Sequence, residues 1–256
     1  MEKNKKYELT NETIEHHGTV LYRIKALKDF SIVKAGDLGG FIESEDNLTN
    51  DGYCWVFGDA IVKGEAKVLD NATVIGGAQV LDHAIIGDNA IIGDNATITG
   101  NSKVYDYARV SGNAKVNGTS EVHGYAIVGG NADVTYANIY DNAKITDGII
   151  IGSTINGDVV ICKDVCLQNN AYISSASDYF SITMNDIMAT FYLSKDKDIY
   201  FSFRNHEYKL DDLNSYSKDL NNIAAFQMLV ELAKNYFVKG AWRKWIKVKS
   251  MNWQIQ

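Results

Sequence analysis

The chain has 256 residues and a formal net charge of −7, from 25 Lys and Arg against 32 Asp and Glu. That length can bury a sizeable core, and 46% apolar residues exclude a disordered chain. No apolar run reaches the roughly 18 residues of a membrane span, and the acidic balance argues against nucleic-acid binding over the whole surface. The first residues, Met1 to Glu8, carry charges with no apolar stretch behind them, so no secretory leader is expected. Three cysteines, Cys54, Cys162 and Cys166, cannot make a disulfide framework and suit a reducing cytoplasm. Proline is absent, so 21 glycines must do most of the turning.

Residues 1–50 read as an N-terminal cap. Tyr7-Glu8-Leu9 and Thr19 to Ile24 look like strands around a polar His16-His17-Gly18 turn. Lys34 to Ile42 is a Gly-rich lead into the central segment.

The central segment is a six-residue repeat. From Val56, every sixth residue is Val or Ile: 62, 68, 74, 80, 86, 92, 98, 104, 110, 116, 122, 128 and 134. Four residues after each of these, as far as 132, stands Ala, or Ser at Ser102 and Ser120. Two residues after each, as far as Gly130, stands only Gly or Asp. A helix of period 3.6 cannot hold six-residue register on one face, and a flat strand alternating by two has no use for a fixed Gly or Asp. Short strands joined by tight corners explain all three rules. The β-branched residue points inward, the small residue sits inward near a crowded corner, and Gly or Asp takes the corner. Three strands per coil make a triangular prism with a repeat of about 18 residues, its coils stacked roughly 4.8 Å apart. The register slips after Val134 and should resume at Ile139, Ile145 and Ile151, then slip again to Ile155, Ile161, Leu167 and Ile173. Irregularities are therefore expected near 136–138 and 152–154, and the β-helix should occupy 51–175.

Residues 176–256 read as a C-terminal α+β cap. Ala189 to Leu193 and Ile199 to Phe203 should form a β-hairpin. Asp219 or Asn222 would cap a helix running to about Val238, with Ile223, Phe226, Leu229, Val230, Ala233 and Phe237 as its apolar stripe. The tail 239–256 holds Lys239, Arg243, Lys244, Lys247 and Lys249, no acid, and Trp242, Trp245 and Trp253. It is expected either to fold back over the cap or to serve as an arm toward an acidic partner or nucleic acid.

The Val/Ile-x-Gly/Asp-x-Ala-x unit resembles that of the hexapeptide-repeat, left-handed β-helix proteins. The lead-in from Leu21 to Phe30, with Gly36 to Glu45, Asn47-Leu48 and Cys54-Trp55-Val56, is similar to that of phage- and prophage-encoded members described as polymer-forming or acyltransferase-like. Val230 to Lys234 followed by Tyr236-Phe237 resembles the closing helix of that group. The resemblance implies a left-handed β-helix and a phage or mobile-element setting in a bacterial cytoplasm.

Acyltransferases of this kind resemble one another in a histidine base, a loop over the cofactor and clefts between subunits. Here no loop interrupts the coil from 56 to 134, and the candidate bases His83 and His123 fall on outward positions. The carbonic-anhydrase branch uses three zinc-binding histidines, two of them close in sequence, whereas His83 and His123 stand apart. Cys162 and Cys166 have zinc-like spacing but no second pair. No catalytic residue, metal or cofactor is therefore assigned.

The 18-residue coil superposes chosen side chains. Asn95, Asn113 and Asn131 should form an amide ladder, Lys103 should meet Glu121, and Asp70, Asp88 and Asp106 should stack with their carboxylates on backbone amides. Tyr107 should lie under Tyr125 and Tyr105 under His123, all four on one face with Arg109 nearby. Large aromatic groups clustered on a surface suit recognition of a partner. The interaction candidates are Tyr105, Tyr107, Arg109, His123 and Tyr125, with Trp242, Arg243 and Trp245 in the tail. The expected function is a non-catalytic, rigid β-helix that binds a protein partner, as a structural accessory or as an inhibitor of a host-defence complex such as CRISPR-Cas. A homo-oligomer is compatible with that reading, nucleic acid would be met only through the tail, and no membrane is involved. The alternatives are a trimeric acyltransferase with an inter-subunit cleft and an acidic nucleic-acid mimic; residues 56–138, with nine acids and five bases, are too sparsely charged for the mimic.

Overall fold

The computed structural model describes residues 5–162, 165–184, 187–203, 206–212 and 230–237. The architecture is mainly β: a parallel-strand solenoid of about seven turns, consistent with a left-handed β-helix. Its strands are mostly two residues long and stack into three sheets, each strand pairing in parallel with the strand one coil away. Lys103-Val104, for example, lies between Ile85-Ile86 and Glu121-Val122.

The three sequence rules correspond to three structural roles. Every aliphatic residue of the repeat from Val56 to Val134 is fully buried. So is each small residue from Ala60 to Ala132, including Ser102 and Ser120. Each corner residue from Gly58 to Gly130 has positive φ, the six-residue pulse that turns the chain from one sheet to the next. Gly112 also needs its missing Cβ, which would lie 2.8 Å from the Gly130 nitrogen in the next coil.

Aspartate takes this conformation for a different reason. Asp82 accepts a hydrogen bond from the Gly100 amide at 3.0 Å, Asp94 from Gly112 at 2.9 Å and Asp106 from Gly124 at 2.9 Å. Asp70 accepts from the Asp88 amide and Asp88 from the Asp106 amide, so three carboxylates share one prism edge without repelling freely. Each carboxylate binds the corner amide of the following coil, which offsets the cost of left-handed backbone. The amide ladder Asn95–Asn113–Asn131 and the Lys103–Glu121 pair form as the spacing predicts.

The solenoid begins before the strict repeat. Leu38–Ile42 carries Phe41 and Ile42 into register with Ile61 and Val62, and Leu48 bridges to Val68. The hairpin Tyr7–His16 and Thr19–Ala26, turning at His17 and Gly18, continues the same face as a ten-stranded sheet. Its inward residues Tyr7, Ile24 and Ala26 join Phe30, Val33 and Trp55 to close the first coil. The Trp55 ring meets Tyr7 and Phe30 edge-on, with centroids 6.1 and 5.3 Å away.

The later slips include the two expected ones and a third between them. The inward residues run Val134, Ile139, Ile145, Ile150, Ile155, so three steps are five residues long. Ile150, not Ile151, pairs with Val134 and is buried. The shortening falls at 146–149, where Gly148 takes φ +105, as well as at 135–138 and 151–154. Pairing offsets consequently contract from 18 (Lys103 with Glu121) to 17 (Glu121 with Asn138) and 16 (Asn138 with Thr154), then return to 18 (Thr154 with Tyr172).

The C-terminal cap is larger than a hairpin. Ile187–Leu193 and Ile199–Phe203 do pair, but Tyr179–Met184 and His206–Lys209 flank them in a four-stranded antiparallel sheet. Alternation gives the sheet two duties. Phe191 and Phe201 face the helix at 230–237 through Ala233, while Tyr192 enters the core of the coil. Thr190 accepts from the Cys166 amide at 3.0 Å and Ser202 donates to the Cys166 carbonyl at 2.5 Å, so the cap satisfies backbone groups of the last coil. The helix start expected at Asp219 or Asn222 and the tail 239–256 lie outside the described residues.

Two measurements probe these roles. Replacing Val104 with Asp should cost at least about 3 kcal/mol, because an unpaired carboxylate would be buried among Ile86, Val122 and their neighbours. Thermal melting checks it, and an unchanged midpoint would refute the inward register. At Asp106, Gly should lose the bond to Gly124 and the longer contact with His123, about 1 kcal/mol, and Ala should lose both and add backbone strain, about 2 kcal/mol. The expected order of melting points is Asp, then Gly, then Ala.

Candidate interaction surface

Register places outward side chains in columns perpendicular to the strands. Tyr105 and His123 stack with centroids 4.8 Å apart and planes 3° from parallel. Tyr140 extends the same column, 5.2 Å beyond His123 and 9° from parallel. Tyr107 and Tyr125 form a second column, 5.1 Å apart and 7° from parallel.

Polar contacts hold the first column in place. The Tyr105 hydroxyl reaches Glu121 at 3.4 Å, and His123 sits 3.2 Å from the Asn138 amide oxygen and 3.7 Å from Asp106. Asn156 donates to the Tyr140 hydroxyl at 2.9 Å. Burial, and then the Glu121 carboxylate, push the Tyr105 phenol above its ordinary range. Burial, and then Tyr172, push up that of Tyr140. Both therefore remain neutral hydroxyls at physiological pH. The second column is freer, with Tyr107 53% and Tyr125 61% exposed.

The two columns do not share one flat face. Asp106, at φ +58, stands between the strands Lys103–Val104 and Arg109–Val110, which lie in different sheets. Tyr105 and Tyr107 therefore flank a prism edge, with Tyr105, His123 and Tyr140 on one side and Tyr107, Tyr125 and the exposed Arg109 toward the other. The corner chemistry, a residue with positive φ at 106 and Gly at 124, is what separates them.

Two aromatic residues escape the sequence reading. Tyr140 is missed when the coil is taken as 18 residues throughout, because the five-residue step before Ile139 makes the local coil 17. Tyr136 is visible as a breach of the corner rule, since Gly or Asp is due two residues after Val134. It adopts φ +56, is 61% exposed, and its ring covers Gly118, whose missing Cβ would lie 2.7 Å from the ring. A bulky residue in left-handed backbone costs on the order of 1 kcal/mol. Trp242, Arg243 and Trp245 lie outside the described residues.

The candidate catalytic groups are dispersed. His83 is exposed and pairs with Glu65 at 3.1 Å. Cys162 is exposed, whereas Cys166 is buried beneath the C-terminal sheet. A polar hollow of about 220 Å³ lies between the last coil and the cap, lined by Thr154, Asn170, Tyr172, Ser194, Asp198 and Tyr200. Among the described residues no helix is long and apolar enough to cross a membrane.

Residues 65–100 match the family model described as bacterial transferase hexapeptide (six repeats). No curated protein matches the chain. The matched segment covers Val68 to Ile98, two coils of the solenoid, and what it matches is the six-residue repeat itself.

Proposed function

We propose that the chain is a non-catalytic scaffold that presents the aromatic prism edge to a protein partner. The observation that carries this reading is the pair of parallel ring columns, Tyr105–His123–Tyr140 and Tyr107–Tyr125, fixed by coil register on either side of Asp106. Rings already held in one orientation lose little side-chain entropy on binding, the cost that most often erodes an interface. Tyrosine and arginine are also the residue types that dominate binding energy. The strained corner at Tyr136 adds a further exposed ring. The lead-in resemblance supports a phage or mobile-element setting in a bacterial cytoplasm, in which the partner would be a host protein, a host-defence complex such as CRISPR-Cas included.

The test compares the wild type with a Tyr107→Ala/Tyr125→Ala double variant as bait in lysate of a bacterial host, read by quantitative mass spectrometry and then by affinity for the enriched protein. The rings are exposed, so stability should fall by no more than about 1 kcal/mol, while affinity should fall by roughly tenfold or more. A large drop in melting point with unchanged affinity would make the rings structural pairs and end the proposal.

A second reading, acyl transfer, is favoured by the name of the matching family model. Calorimetry with acetyl-coenzyme A separates the two: the scaffold reading expects no saturable heat, and micromolar binding would favour the enzyme.

A further inference from the structure

The first coil contains a buried pair that neither the fold nor the aromatic edge requires. Lys6 is 1% exposed and Cys54 is fully buried. The Lys6 Nζ donates to the Cys54 carbonyl at 2.9 Å and lies 3.3 Å from the Cys54 Sγ, over the Phe30 ring at 5.2 Å. Cys54 is anchored by its own amide on the Asp70 carbonyl, and Lys6 by its amide on Asn50. Backbone contacts thus hold both reactive atoms together across 48 residues of chain.

A lysine buried at a core end is expensive, and a methionine there would pack without that cost. Burial pushes the Lys6 ammonium below its ordinary range. Burial also pushes the Cys54 thiol up, although Lys6 draws it back down. Both shifts favour the uncharged forms, an amine and a thiol held in contact, and such a pair can be joined by oxidation.

We propose that Lys6 and Cys54 form an oxidative cross-linking site, in which dioxygen joins Nζ to Sγ through a single oxygen atom and fastens the N-terminal strand to the first coil. The amine and the thiol each give up one hydrogen. One atom of dioxygen becomes the N–O–S bridge and the other leaves as water with those two hydrogens. Sulfur and nitrogen each lose two electrons, matching the four that dioxygen accepts. Two equivalents of a dithiol reverse the step, restoring amine and thiol and releasing the bridging oxygen as water.

The bridge would close a loop from residue 6 to residue 54, around the hairpin that caps the solenoid. Such a closure restricts the unfolded chain as a disulfide does. It would make the N-terminal cap resist unfolding under oxidising conditions and release it under reducing ones.

The test uses the full chain with Cys162→Ser, which removes the exposed thiol. Protein kept reduced and oxygen-free is compared with protein equilibrated with oxygen. Intact mass should show the gain of one oxygen and the loss of two hydrogens, reversed by dithiothreitol. Peptide mapping should find the segments containing Lys6 and Cys54 linked, and the melting point of the oxygen-treated protein should rise by several degrees. Lys6→Arg and Cys54→Ser should each abolish the mass change. Either variant could fail to fold, so the linked peptide from the folded parent decides the matter. Finding only oxygen added to Cys54, or no change in the parent after oxygen exposure, overturns the proposal.

Discussion

The structure depends on one conformational requirement, a residue with positive φ every six positions. Without it a two-residue strand would run on as an extended chain and the three sheets would never meet. Glycine meets the requirement by having no Cβ, and aspartate meets it by trading backbone strain for a charge-assisted bond to the next corner amide. The second solution does more than tolerate the turn. It links each coil to the next at the prism edge, outside the strand ladders, so the residue that turns one coil also sets the height of the following one.

A repeating interior can be continued but cannot end itself, so the two ends use unlike devices. At the first coil, bulk closes the core: Trp55, Tyr7 and Phe30 fill the triangle, with Lys6 among them. At the last coil, hydrogen bonding has the larger share, because Thr190 and Ser202 meet the backbone that a further coil would have met. The alternation of a β-strand makes this possible, since one side of the terminal sheet serves the coil and the other packs on the helix at 230–237.

Most of the solenoid is legible in the sequence because its three rules are local and repeat without interruption. A residue such as Val104 is placed by counting alone, and the Asn95–Asn113–Asn131 ladder follows from the same count. Counting fails where one residue is missing, because a single deletion moves every later residue by one place along its column. Counting therefore points to Ile151 as inward where Ile150 is, and it leaves Tyr140 out of the column that His123 begins with Tyr105. The edge between Tyr105 and Tyr107 is hidden for another reason. Their spacing of two is that of neighbours on one strand face, and only the positive φ of Asp106 turns the chain between them. At the C-terminus Tyr179–Met184 does alternate, Phe180, Ile182 and Met184 against Ser181 and Thr183, but a six-residue run standing alone does not say which strand it pairs with, and here it joins Ile187–Leu193.

The same register that makes the fold readable restricts what its surface can do. In a globular site, side chains from distant segments converge, and each can be re-aimed by a small backbone change. Here an outward residue can only repeat the position of its neighbour one coil away, so the surface offers columns whose members stand about 5 Å apart, as the three stacked ring pairs do. Columns favour extended, additive contact along a prism edge over convergence on a reacting atom. Variation then enters where the repeat breaks, by a shortened coil that brings Tyr140 onto the far side of His123 or by a corner residue such as Tyr136 that carries a ring where Gly or Asp is due. Both breaks border the strand Asn138–Ile139, two coils along from Tyr105. These two departures from the rule thus lie beside the aromatic columns, and it is there that a regular scaffold acquires a surface distinct from the coils before it.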